Sequence, residues 1–296
     1  MIPLTEIFCL IDDFCNIFQT QQQSRYLSNP QQKRHRPCRL TLSEVMTILI
    51  GFQLSHYRTF KDFYLHCVCI HWKKDFPALV SYNRFVELTS YAFTPLMVLT
   101  RSFPSQKTGK YFVDFTKLAV CHTLRIRRHQ VFKGIAQRGK TSTGWFFGFK
   151  LHLVINDLGE LVSFCITGGN RDDRSVVKKL SAGLQGWLFG DRGYISQKLF
   201  KSLELQGLKL MTRIKRNMKP VASLNSAESF FLSKRGVIES VIGWLKLRGC
   251  LEHSRHRSII NFFVNVFCCL LAYILPKKPS VRFHRLNNFS LSLMSN

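Results

Sequence analysis

The chain has 296 residues, 46% of them apolar with 26 Phe, enough to bury a sizeable core and to exclude an intrinsically disordered protein. Lys and Arg number 43 against 17 Asp and Glu, a formal charge of +26. That surplus points to a polyanionic partner, nucleic acid ahead of an anionic membrane surface, with a ribosome-like or merely solubilising charge as the plainer reading. Ten cysteines occur behind an N-terminus, Met1-Ile2-Pro3-Leu4-Thr5-Glu6, that has no secretory pattern, so reduced thiols and a cytoplasmic location are expected.

Residues 1–104 read as a helical domain. Phe8, Ile11, Phe14, Cys15 and Phe18 recur at close to 3.6 residues, and the polar Gln19-Thr20-Gln21-Gln22-Gln23 reads as a break. Thr41-Leu42-Ser43-Glu44 fits a capping box opening an apolar helix, Val45 to Leu54. Aromatic and basic residues mix at two apparent helix starts, Tyr57 to Lys61 and Ser81 to Phe85. That suits a DNA-binding helical unit, although an ordinary amphipathic bundle explains it nearly as well. His66-Cys67-Val68-Cys69-Ile70-His71 invites zinc, but no second ligand pair answers it at a fitting spacing, so these residues read as the core of a buried helix. Ser102 to Gly109 is the best linker in the chain.

Beyond the linker the periodicity predicts strands at Tyr111–Val120, Gly144–Ile155 and Leu161–Thr167, the last two antiparallel across an Asn156-Asp157-Leu158-Gly159 turn. There follow a helix at Asp173–Leu184, a strand at Gly186–Gly190, a helix at Ser196–Leu205 capped by Ser196, and a strand at Leu208–Arg213. A helix over Phe230–Leu247 and an apolar helix ending near Leu275 complete the pattern. Ile259–Leu275 barely reaches membrane-spanning length and carries Asn261 and Asn265, so it reads as a core helix. The expectation is an α/β fold with a mixed sheet flanked by helices over 105–275, and a basic tail at 276–296.

Three acids stand out. Asp114 sits mid-strand behind Tyr111-Phe112-Val113, where a carboxylate is costly to bury without a compensating cation. Asp191, in Gly190-Asp191-Arg192-Gly193-Tyr194, follows a short apolar strand and projects from the carboxyl edge of a sheet, where ligands bind in open α/β folds. Glu239 shares a helix face with Arg235, Ile242 and Lys246. Singly, each has a structural reading: Asp191 as a turn former, Glu239 paired with Arg235, Asp114 paired with Arg125 or Arg127. Their order, on the first strand, after the fourth and on a late helix, is what a ribonuclease-H-like fold would gather around divalent metal.

Several longer motifs occur in the same order: Ser81-Tyr82-Asn83-Arg84-Phe85, Arg138-Gly139-Lys140, Gly144 to His152, Gly169 to Arg174, Phe189 to Ser196, and His253 to Ser258. With these the chain resembles the DDE transposases of bacterial insertion sequences, most closely the insertion-sequence family called 982. The resemblance implies that Asp114, Asp191 and Glu239 are catalytic and bind Mg²⁺ or Mn²⁺, two ions in all. It also implies that the helical N-terminal region recognises element ends. Arg235, Glu239 and Lys246 keep the spacing of a Tyr-Arg-Glu-Lys signature, with Leu232 at the Tyr position. Along the DNA path we expect Arg235, Lys246, Lys150, Arg213, Lys215, Arg255 and Arg257. No inserted β-domain is expected between Arg213 and Phe230. The implied partner is double-stranded DNA, at element ends and target, bound by a dimer or higher assembly in the bacterial nucleoid, with no membrane. Two other readings stay open: a catalytically decayed DNA-binding protein that regulates its own element, and a nuclease without strand transfer.

Overall fold

The computed structural model describes residues 2–26, 38–212, 226–249, 251–252, 256–278, 281 and 283, with the backbone only at 22–26 and 226–229. The chain divides into two units, one of residues 1–103, 248–251 and 258–296, the other of 104–247 and 252–257.

The first unit is helical. It contains α1 (Leu4–Tyr26), α2 (Leu42–Leu54), α3 (Phe60–Asp62), a π-helical run at Phe63–Val68, α4 (Cys69–His71), α5 (Tyr82–Leu88), α6 (Phe93–Ser102) and, from the far end of the chain, α11 (Ile259–Ile274). The capping box forms: Glu44 N–H donates to Thr41 Oγ1 at 3.2 Å and Thr41 N–H to Glu44 at 2.7 Å. The Gln-rich stretch is not a break, because α1 runs through it to Tyr26; Gln is a good helix former, and polarity alone does not stop a helix. His66 to His71 is not a buried core either. Val68 is buried, but His66, Ile70 and His71 are exposed.

The expectation of a sheet domain running to 275 differs from what is seen for α11. This helix packs against α2 and α6 within the helical unit. Its apolar surface is buried nearly all round, and Gln53 on α2 donates to Asn265 at 2.7 Å, so two buried amides answer each other in that core.

The second unit is a mixed sheet flanked by helices. Its strands are β1 (Lys110–Cys121), β2 (Gln137–Thr141), β3 (Gly144–Asn156), β4 (Leu161–Gly168), β5 (Gly186–Gly190) and β6 (Leu208–Thr212), in the order β2-β3-β1-β5-β6 with β4 also on β3. β1 is antiparallel to β3 and parallel to β5, and β5 is parallel to β6. The second half of β3, between β1 and β4, is buried without alternation, as expected of a strand covered on both faces. One sheet face packs against α7 (Arg174–Leu180) and α8 (Gln197–Glu204) through Val113, Val154, Val177, Leu180, Leu188 and Leu203. α7 stops earlier than expected because Gly183, at φ +74°, closes a turn just past its end.

Phe230–Leu247 is not one helix. It divides into α9 (Ser226–Ser233) and α10 (Gly236–Leu247), with Lys234 and Arg235 in the turn between them. Gly236 is a poor interior residue, and Ser233 Oγ donates to Phe230 O at 2.6 Å, ending the first helix locally. Phe231 at the end of α9 lies 5.8 Å from Phe189, which lies 5.5 Å from Phe112 on β1.

Candidate active site

Strand register brings the first two acids together. β1 pairs with β5 as Lys110↔Trp187, Tyr111↔Leu188 and Phe112↔Phe189. The same step continued sets Val113 beside Gly190 and Asp114 level with Asp191. β5 ends there while β1 runs on to Cys121, so the chain leaves the sheet beside a carboxylate that is still mid-strand. The third acid, Glu239, comes from the first turn of α10.

All three converge on one guanidinium. Arg235 Nη2 stands 3.5 Å from Asp114 Oδ2 and 3.5 Å from Glu239 Oε1, and Nη1 stands 3.2 Å from Asp191 Oδ1. The oxygens of Asp114 and Glu239 are therefore no further apart than twice 3.5 Å. The turn between α9 and α10 makes this possible, since it frees Arg235 from the helix and lets its side chain reach back to both strands. The planar fork of Arg suits several carboxylates at once, which the point charge of Lys would not.

The acids differ in surroundings. Asp114 is the most enclosed, with a side chain 19% exposed against 56% for Asp191 and 65% for Glu239. Burial pushes the Asp114 carboxyl above its ordinary range, and the charges of Asp191 and Glu239 push the same way. The Phe115 amide, at 2.8 Å, and Arg235 pull it back. Asp191 Oδ1 accepts from Arg192 N–H at 2.6 Å and caps the short turn that follows. Beneath lies Tyr194, 2% exposed, whose hydroxyl has no hydrogen-bond partner among the described residues; burial, then Asp114, holds its phenol well above the ordinary value. The Tyr closing Gly190-Asp191-Arg192-Gly193-Tyr194 is thus the floor of the site. Its apolar neighbours in the sequence do not mark it as such.

Asp114 pairs with neither Arg125 nor Arg127 among its ion pairs in the described residues; Arg235 takes that place. Lys246 Nζ is 3.0 Å from Glu252. Lys150 does not lie on a surface. It is 6% exposed, and its ammonium donates to Asp173 at 2.7 Å and to Arg171 O at 2.9 Å. Arg257 is exposed, while Arg213, Lys215 and Arg255 lie outside the described residues. Beside Lys150 on β3, His152 is fully buried, with Nε2 2.9 Å from Thr167 Oγ1 and Nδ1 without a partner among the described residues.

Three carboxylates against one guanidinium leave a net negative cluster in a strongly basic chain. All donors are hard carboxylate oxygens, the set that Mg²⁺ and Mn²⁺ prefer. Among the described residues no three His, Cys, Asp or Glu side chains stand closed around one point, and the Arg235 guanidinium lies against each of these three acids. The residue types fit divalent ions once the guanidinium moves aside.

A family model described as Transposase DDE domain matches residues 104–259. Among solved structures the chain is similar to one described as the cryo-EM structure of a piggyBac transposase synaptic complex with hairpin DNA. The identity is 11%, 93% of this chain and 74% of that chain are covered, and the TM-score is 0.52, a likeness of fold. No curated protein sequence matches the chain.

Proposed function

The chain belongs to the transposase DDE-domain family, and from that premise we propose that it cuts DNA at the ends of an insertion sequence and joins those ends to target DNA. The observation that carries this reading is the convergence of Asp114, Asp191 and Glu239 on Arg235. In cleavage, the oxygen of water forms a bond to the scissile phosphorus and the P–O3′ bond breaks, leaving a 3′-hydroxyl. In joining, that 3′-hydroxyl attacks a target phosphodiester, and one target P–O3′ bond is exchanged for another, so no energy source is required. Phosphoryl transfer of this kind asks the protein chiefly for position and charge.

Asp114, Asp191 and Glu239 would hold two Mg²⁺ or Mn²⁺ ions, which when bound supply Lewis-acid activation of the attacking oxygen and charge stabilisation at the leaving one. The chain's own groups do the rest. Asp114 is fixed by the Phe115 amide and by the sheet, so it anchors the cluster, while the more exposed Asp191 and Glu239 adapt. Arg235 acts as the resident cation and, once released, becomes a bidentate ligand for a DNA phosphate. Lys246 lies two turns along α10 from Glu239 and follows the same backbone as a point charge. The helical unit recognises element ends, and two ends held together call for a dimer or larger assembly on DNA.

The test is cleavage of end DNA by purified protein with Mg²⁺ or Mn²⁺. Wild type cuts and joins, and Asp191→Asn binds without cutting. Cutting that survives Asp191→Asn rejects the assignment. Cutting without joining of pre-cut ends selects the nuclease reading instead.

A further inference from the structure

We infer that the β2–β3 hairpin is a second DNA contact, separate from the acidic cluster, in which Trp145 stacks on an unpaired base while Arg138 and Lys140 hold the flanking phosphates. Trp145 is 53% exposed while the next residue, Phe146, is buried, so the indole stands on the open face of the strand. Pairing explains the placement: Lys140 lies directly opposite Trp145, and Arg138, two residues away on the same face, lies opposite Phe147. The Arg138 guanidinium carbon is 4.8 Å and Lys140 Nζ 5.6 Å from the indole ring. At the tip, Lys117 on β1 reaches Thr143 Oγ1 at 3.1 Å.

A Cβ on Gly139 would run into the Gly169 carbonyl, and one on Gly148 into the Leu118 carbonyl, so the base and middle of the ribbon are seated closely against neighbouring backbone. Charge selects the occupant. From Phe115 to Asn156 there is no Asp or Glu but eight Lys or Arg, of which only Lys150 is buried, so an anionic partner is the one this segment's surface accepts. An aromatic face between cations binds a base and its phosphates together, and a base offers its π-face only where it is not already stacked in duplex. Strand ends at a break provide such bases, so the inference rests on the DNA-cutting reading for its substrate but not on the acids for its binding.

The experiment is equilibrium binding of the full chain, without divalent ion, to labelled duplexes that are blunt or carry a short single-stranded overhang. Wild type is expected to prefer the overhang. Trp145→Ala should lose about tenfold on the overhang duplex and little on the blunt one, and Trp145→Phe should keep most of the preference. Arg138→Ala and Lys140→Ala should weaken both, with a shallower salt dependence. The inference is overturned if Trp145→Ala keeps the overhang preference, if it loses equally on both duplexes, or if the variant instead loses binding to anionic lipid vesicles. A wild type that shows the preference but never cuts with metal would reject the proposed function and leave this contact standing.

Discussion

Arg235 Nη2 lies 3.5 Å from Asp114 Oδ2, and the two side chains are only 17% and 19% exposed. An enclosed carboxylate thus has its charge answered by a residue 121 positions away, carried in by the turn before α10. The first expected outcome concerns the acids. Asp114→Asn, Asp191→Asn and Glu239→Gln should each lower metal-dependent cleavage by about a thousandfold or more, because charge stabilisation of phosphoryl transfer is concentrated there. Gel-shift affinity for end DNA should change little. A variant that still cuts at near wild-type rate removes its residue from the site.

The second concerns Arg235 as a competitor for the same oxygens. Without divalent ion, Arg235→Gln should melt lower than wild type, since Asp114 is left enclosed and unpaired. With Mn²⁺ titrated in, the variant should gain thermal stability at about tenfold lower concentration, because no guanidinium has to be displaced. Arg235→Lys should fall between, as a point charge cannot fork across three carboxylates. An unchanged Mn²⁺ midpoint would contradict the competition.

His152 gives a pH dependence whose sign follows from burial. Its imidazole is lowered to about 4 from the ordinary 6.5, by burial first and then by the Lys150 charge. The unfolded chain therefore takes up a proton between those values that the folded chain refuses, so stability falls as pH drops through this window. The loss between pH 7 and pH 5 is about 2 kcal/mol from this residue. Urea melts of wild type and His152→Gln at the two pH values should differ by that amount, and equal pH dependence would show that His152 is not its source.

Lys150 should behave as a fold residue. Lys150→Met removes the cation from Asp173 and should cost about 3 kcal/mol in urea melts, while DNA affinity in the folded protein stays close to wild type. A specific loss of affinity at unchanged stability would return Lys150 to the DNA path.

What could be read beforehand follows from how local each signal is. Asp114, Asp191 and Glu239 stand out because each is an acid inside or beside an apolar run, and β1, β3, β4, β5 and β6 show in their own hydrophobic patterns. β2 does not: Gln137-Arg138-Gly139-Lys140-Thr141 is polar, and only pairing with β3 makes it a strand. Lys150 reads as a DNA contact because its charge is visible in sequence, whereas Asp173 comes to it through the packing of α7 beside β4. The break at Lys234-Arg235 is equally hidden, since the residues on either side keep a helical pattern. That break is what turns Arg235 from a surface pairing partner of Glu239 into the hub of three acids.

The distribution of α11 has a consequence for synthesis. Its side chains complete the core begun by α2 and α6, yet they leave the ribosome after every strand of the sheet. Domains ordinarily mature in the order in which they are made. Here the face of α2 and α6 that α11 covers cannot be closed until residues 259–274 have been made, after the whole of the sheet. A frameshift just after Leu247, at the end of α10, would therefore keep the three acids and the helix that carries Glu239, yet leave the core of the helical unit open.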